Sequence, residues 1–420
     1  MARRQAKQES GFDRPWSVSA DWILPGDGRR LRNGILRGNG PLVEAVGTVR
    51  QVPPTPNHRE LGEVILLPGL INAHVHLELT HMRGKISPGR PITQWLYGII
   101  RKRPQDEDQQ RAAVQAGAAE ALAAGTTCLV DVSSGNNAWA VLQDFPLRKI
   151  CLSEIVGIGP RAKDAMSAVG KTIRGCKEDE RLGFGISPHS PYATAESVYI
   201  KCIAAAHKRN WPVATRLAET EAERQFLTRG SGKFFEFLAR LGMIDMSVDV
   251  HGCKPVEFAR RVGMLDRRSL LFGVNYIGDD ELAILQTSRA SVVYSPGAAA
   301  YFGRSGHRYP EMLRRGINVA LGTDSLACND SLDVLQEMRR IRRDAQVDND
   351  TILRMATLNG ARALGMDDRL GSLEPGKTAD FFTVTTDSDL ADPLEAILTA
   401  PTNVQQVTIA GGTVPIGEGG

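Results

Sequence analysis

The chain has 420 residues, 42% hydrophobic and 24% charged, and its 51 basic and 48 acidic residues leave a net charge of +3. That length suits one large barrel domain plus a smaller satellite, and the near balance of charge gives no bulk support to a nucleic-acid or anionic-membrane partner. Six scattered cysteines (Cys128, Cys151, Cys176, Cys202, Cys253, Cys328) without a CxxC pair argue for reduced, packed thiols in a cytoplasmic protein rather than a disulfide frame or thiolate zinc site.

Residues 1–15 are polar, lack the apolar stretch of a signal peptide, and are expected to fray. From Ser17 to about Val64 the sequence predicts short strands broken by Gly and Pro, ending in a loop at PPTPNHRE. An apolar run then leads through Pro68 and Gly69 into a strand carrying His74 and His76. Helices follow at PITQWLYGIIRKR and DQQRAAVQAGAAEALAAG, the second closed by Gly125. Strands are predicted at TTCLVDVS, RKICLSEIVG, RLGFGISPHSPY, WPVATRLAET, SLLFGVNYI, ASVVYSP and INVALGTDS, with helices at 161–177, 194–209, within 221–264, and at 279–287 and 309–315 between them. Eight strands alternating with helices predict a parallel (β/α)8 barrel over residues 65–370. Helices near 330–345 and 350–364 complete it, the basic run Arg339, Arg340, Arg342 and Arg343 reading as a solvated face. From Gly371 the pattern returns to strands, so residues 17–64 and 371–415 are expected to form one composite β-sandwich. No stretch reaches the ~20 apolar residues that span a bilayer.

His74 and His76 are two apart on a strand, so their imidazoles project together and can form half of a metal site. A bare HxH is weak evidence. The run PGLINAHVHLE is far more specific, and it resembles the first barrel strand of the amidohydrolase superfamily, in particular its deaminase and chlorohydrolase branch. The resemblance extends from about Ala20 to Val414. It implies hydrolysis of a small aromatic N-heterocycle at a zinc or iron ion, with His74, His76 and Asp324 as ligands. It further implies Asp324 and Glu219 as proton-transfer groups, and His189 in SPHSPYATA and Glu78 beside the substrate. A carboxylate next to metal-bound water suits that role, because the metal brings the water's pKa towards neutrality. Dimers are common among proteins that resemble this one.

Several family positions are altered. Where relatives read HLAET, this chain reads Arg216-Leu217-Ala218-Glu219-Thr220, and a guanidinium has no lone pair to offer a metal. At ~5 Å and an effective dielectric of ~20 it would repel a dication by roughly 7 kcal/mol, an upper bound because the side chain can swing away. The sixth-strand histidine aligns with Gly273, and the seventh-strand Cys-Pro-Arg-polar-His run becomes Ser295-Pro296-Gly297-Ala298-Ala299. These losses fall on chemistry while the scaffold persists. Two readings follow: a diverged member with a lost or altered metal site, retained as a binding or partner subunit, or a hydrolase holding one metal through His74, His76 and Asp324 alone.

Some signals point elsewhere and are set aside. Glu78 completes an HxE, but the PCxxC half of the cytidine-deaminase signature is absent. Residues 371–378 fit GxxxxGK[ST], yet they follow a helix and open a strand, the reverse of a phosphate loop. His58, His81, His207, His251 and His307 read as surface or capping residues.

Overall fold

The structure, a computed structural model, describes residues 15–102, 106–134, 137–175, 177–244, 251–386 and 391–416; the polar start of the chain and Cys176 lie outside them. Both ends of the chain contribute to one mixed sheet. Its strands are β1 (Pro15–Ile23), β2 (Leu31–Asn39), β3 (Leu42–Thr48), β4 (Asn57–Glu60) and β5 (Ile65–Pro68). The next strands are β6 (Leu70–Val75), β7 (Thr126–Ser133), β8 (Arg148–Ile155), β9 (Leu182–Pro188) and β10 (Val213–Leu217). The remaining strands are β11 (Ser269–Gly273), β12 (Ser291–Tyr294), β13 (Val319–Leu321), β14 (Phe381–Thr386), β15 (Thr402–Ile409) and β16 (Gly412–Val414).

Strands β6 to β13 form an eight-stranded parallel sheet in chain order, and a bridge between Val75 and Asp324 joins its first and last members. It is a nearly closed (β/α)8 barrel. Side chains alternate along each strand, so Ile71, Ala73, Val130, Leu152, Ala214, Phe272, Val293 and Ala320 fill the interior, with Leu364 and Leu370 packed against them. The opposite set, including Leu129, Val213, Leu271 and Val292, packs on the surrounding helices.

The terminal sheet runs β16-β15-β14-β5-β1-β2-β3, with β4 beside β1. Its far edge returns to β14's lead-in: Val43 N donates to Lys377 O at 2.8 Å and Ala379 N to Pro41 O at 2.8 Å. The sheet thereby wraps a separate core of Trp16, Leu36, Leu66 and Phe381. Because β5 continues through Gly69 into β6, this sheet anchors the strand that carries the paired histidines.

Three local expectations change. The segment PPTPNHRE is not all loop, since Asn57–Glu60 pairs in parallel with Trp16–Ser19. The basic helix Val334–Asp344 is not simply solvated: Arg339 bonds Ile397 O and Thr402, and Arg342 forks onto Glu395 at 2.7 and 2.9 Å. Short helices at Asn137–Leu142, Pro296–Tyr301 and Pro393–Thr399 appear where none was expected.

Candidate active site at the barrel mouth

Working groups in such a barrel gather at the carboxyl ends of the strands. On β6 a bulge sets three residues against two of β7 between Asn72 and Val75, and this phase shift turns His74 and His76 to the interior just after Ala73. Three other strand ends turn through left-handed backbone, at Ala218 (φ 50°), Val274 (φ 53°) and Asp324 (φ 56°). Such conformations disfavour non-glycine residues, and here they re-aim the chain just beyond β10, β11 and β13. They also explain why those strands end before the predicted WPVATRLAET, SLLFGVNYI and INVALGTDS.

Arg216 sits at the centre. Its Nη1 donates to Glu219 Oε1 at 2.9 Å and to Asp324 Oδ2 at 3.0 Å, while Nη2 donates to Asp324 Oδ1 at 2.9 Å and to His76 Nε2 at 2.9 Å. The fork onto Asp324 is bidentate, the strongest guanidinium–carboxylate geometry. His74 Nε2 lies 3.1 Å from His76 Nε2. The single lone pair of His76 Nε2 is already taken by the Arg216 donor. The ring of His74 stacks on Phe272 at 3.7 Å.

Burial pushes both histidines down to about 3, with Arg216 adding to the effect, so they are neutral. Burial also works against the charges of Arg216 and Asp324, but each outweighs it for the other: Arg216 is held well above its ordinary value and Asp324 far below. Glu223 fixes Glu219 from behind by accepting Ala218 N at 3.0 Å and Glu219 N at 2.8 Å. Burial, and then the Glu219 charge, raise Glu223 to about 8.

His74, His76, Arg216, Glu219 and Asp324 are thus brought together. Glu78 stands apart from them, whereas His189 adjoins Arg216 through its backbone, its O accepting from Arg216 N at 3.0 Å. His189 Nδ1 bonds Ser190 Oγ at 2.8 Å, its Nε2 lies 3.9 Å from Glu154, and burial lowers it to about 4. Glu78 accepts from Ser134 Oγ at 3.1 Å.

The altered positions are packed rather than merely empty. At Gly273 (φ 90°) a Cβ would lie 2.9 Å from Glu219 Cγ. At Gly297 it would lie 2.4 Å from Asn329 Oδ1 and 2.6 Å from Glu337 Oε1, and Gly297 N donates to Glu337 Oε2 at 2.7 Å. The space left beside His74, Glu219, Gly273 and Asp324 is about 10 Å³, room for about one water, whereas ligand pockets run to about 300–1,000 Å³.

Sequence reasoning missed Arg304, whose guanidinium lies 4.0 Å from Glu219 with only 8% of the side chain exposed; a lone arginine in a Gly/Ser loop carries no signal of burial. It also missed Glu223, although Thr220-x-x-Glu223 is a capping-box pattern, with Thr220 Oγ1 accepting from Glu223 N at 3.1 Å. The segment 371–378 is a turn latched by Lys377 to Ser372 at 2.7 Å and by Gly376 N to Val43 O at 2.9 Å.

The barrel with paired histidines on its first strand and an aspartate after its last is the frame of a metal-dependent hydrolase. The chain belongs to the amidohydrolase family, which residues 65–414 match. It is similar to a 5-methylthioadenosine/S-adenosylhomocysteine deaminase of Desulfovibrio desulfuricans, 31% identical over 88% of this chain and 81% of that protein. The corresponding deaminase of Syntrophobacter fumaroxidans is 29% identical over 86% and 82%. Among solved structures, a zinc-bound adenosine deaminase from Xanthomonas campestris superposes with a TM-score of 0.79 at 25% identity, covering 94% of this chain and 92% of that one. Aminofutalosine deaminase of Helicobacter pylori shares the fold, with a TM-score of 0.82 at 18% identity over 95% and 100%.

His74, His76 and Asp324 offer donor atoms within 4.8 Å of one another, a grouping that could hold a metal ion. Arg216 bonds these same groups, donating to His76 Nε2 and to both oxygens of Asp324, and adds a positive charge beside them.

Proposed function

We propose that this chain is a diverged amidohydrolase in which Arg216 takes the place of the metal's charge at the barrel mouth. On this reading the protein does not efficiently deaminate adenosine-type nucleosides, guanine or cytosine. One observation carries the reading: the Arg216 guanidinium bonds Glu219, Asp324 and His76 at once. Without a cation, Asp324 and Glu219 would be close like charges in a poorly hydrated place, which is costly. The guanidinium supplies the compensating charge and spends the donor atoms a metal would need. Gly273 and Gly297–Ala299 add support, because the polar groups that would orient a heterocycle are missing and such losses commonly cost orders of magnitude in rate. The buried Cys128, Cys202 and Cys328, in no disulfide among the described residues, fit a reducing, cytoplasmic setting.

The test is the metal content of the purified protein, followed by an activity screen. Under one-tenth of an equivalent of zinc or iron (~0.1 per chain) is expected, and Arg216→His should restore zinc binding more readily than activity. Turnover of any of these substrates with kcat/KM near ~10⁴ M⁻¹s⁻¹, the low end for enzymes, would refute the reading.

A second reading is a mononuclear hydrolase using His74, His76 and Asp324, with Glu219 as proton shuttle. It is supported by the 4.8 Å grouping of the three ligands and by the zinc in the Xanthomonas campestris relative. It requires Arg216 to leave its present partners. One tightly held metal per chain would decide for it.

A further inference from the structure

Outside the seventh strand lies a second space, a cavity of about 720 Å³ between the loop Arg304–Tyr309 and the helix Val334–Asp344. Its inner wall is built of stacked rings. Tyr294 lies 3.9 Å from His307 and 5.5 Å from Tyr309, centroid to centroid. His307 is pinned at both nitrogens: Nε2 donates to Gly273 O at 2.8 Å and Nδ1 accepts from Tyr309 N at 3.0 Å. The wall is rigid, and His307 brings no charge to it.

The charge comes from five arginines, Arg304, Arg308, Arg314, Arg340 and Arg343, that line the space. Two carboxylates face them. Glu311 is already committed to Arg308 at 2.6 Å and to Arg315 at 2.8 Å, and Arg308 is satisfied in turn by Asp279 at 2.6 Å. Asp344, exposed, is the one lining carboxylate without an ion pair among the described residues. Against it stand Arg304, Arg314 and Arg343, whose guanidiniums donate no hydrogen bond among the described residues, and Arg340, whose nearest carboxylate oxygen is 3.6 Å away.

Two groups carry the argument beyond a basic patch. Arg304 is buried except for 8% of its side chain, stacks 4.5 Å over Phe302, and among the described residues has no carboxylate oxygen nearer than Glu219 at 4.0 Å. Tyr309 is 2% exposed, and its hydroxyl has no hydrogen-bond partner among the described residues. Buried donors are ordinarily satisfied, and each exception calls for an explanation.

We propose that this cavity binds a phosphate-bearing small molecule, with Arg304 as its buried anchor and the Tyr309 hydroxyl as a second donor. A carboxylate would be served by one guanidinium fork. Several separately placed, uncommitted guanidiniums match an anion with more oxygens and more than one charge. The volume exceeds what inorganic phosphate needs and falls in the range of small-ligand pockets, about 300–1,000 Å³. The remaining space, walled by the Tyr294 stack, takes the organic part. Only Arg304 and Ala299 line both spaces.

The experiment is isothermal titration calorimetry on the full chain at constant ionic strength, with AMP, ribose 5-phosphate, inorganic phosphate and adenosine as probes. AMP or ribose 5-phosphate is expected to bind saturably at one site per chain with a Kd below about 1 mM, inorganic phosphate more weakly, and adenosine not at all. Arg304→Gln should weaken the phosphate ester about tenfold or more, as loss of a charge-assisted contact does. Arg314→Gln, at an exposed residue that lines the outer cavity and not the mouth, should weaken it about threefold and lower the salt dependence even if the Arg304 variant does not fold. The proposal is overturned if neither ester gives a saturable heat, if adenosine binds as tightly as AMP, or if both arginine variants bind like the wild type.

Discussion

The barrel mouth and the cavity outside the seventh strand share the Arg304 side chain and treat charge in opposite ways. At the mouth, Arg216 bonds both Asp324 and Glu219 within 3.0 Å, and the residual space is about 10 Å³. In the outer cavity, three guanidiniums lack hydrogen bonds among the described residues and face about 720 Å³ of space. A closed network of buried ions stabilises by internal satisfaction and presents little to a ligand. An open cluster of cations does nothing for the fold and keeps its interactions in reserve. On the proposed reading the mouth is structural, and the outer cavity is where recognition remains available.

The sharpest way to break the comparison is to remove the central ion. Arg216→Leu leaves Asp324 buried without its bidentate partner and Glu219 with Arg304 at 4.0 Å, and removing one partner of a buried ion pair typically costs about 3–5 kcal/mol. Urea denaturation should show that loss as a lower midpoint with an unchanged slope. A variant as stable as the wild type would mean that another cation already balances the mouth.

Next in size is the packed glycine. Gly273→Ala puts a Cβ 2.9 Å from Glu219 Cγ on backbone at φ 90°, and strain of this kind costs about 1–3 kcal/mol. The same substitution should not improve metal uptake. If it is neutral by thermal melting, the sixth-strand position is open rather than filled, and the mouth could be rebuilt by reversion.

Much of this arrangement was readable in the chain. The barrel strands announce themselves as buried apolar runs alternating with helices, and TTCLVDVS coincides with β7 to the residue. Arg216 was found because LAET fixes its register. What escaped had no side-chain signal. Strand β4 (Asn57–Glu60) is polar and joins β1 through its backbone and through His58, whose ring nitrogens bond Ser17 Oγ at 2.9 Å and Ser19 Oγ at 3.1 Å. The helix Pro296–Tyr301 is made largely of small residues, which the sequence showed only as an altered seventh-strand motif. Arg304 is one arginine among many until tertiary packing buries it.

A smaller effect separates the two regions by pH. Glu337 lies behind Gly297, accepting from its N at 2.7 Å and from Asn329 Nδ2 at 2.8 Å, and burial raises it to about 7. A carboxyl raised in the folded state above its unfolded value keeps its proton longer when folded, so stability falls as pH rises between about 4.5 and 7 and levels off above. This group's share is at most about 3 kcal/mol. Glu337→Gln should flatten the stability curve across that window relative to the wild type, as measured by urea midpoints at half-unit steps. An identical slope would show that Glu337 is ionised throughout.

The smallest effect is the most telling for the outer cavity. Arg314 and Arg343 are exposed and make no ion pair among the described residues. Arg314→Ala and Arg343→Ala should therefore each change unfolding free energy by no more than about 0.5 kcal/mol, the usual range for surface sites without special contacts. Relief of repulsion among neighbouring arginines should make the sign slightly stabilising at low ionic strength, and added salt should erase it. Residues kept for folding behave like Arg216, and residues that matter only when a ligand arrives behave like these two. A loss of several kcal/mol from either variant would place the outer arginines in the scaffold, and the contrast between the two regions would disappear.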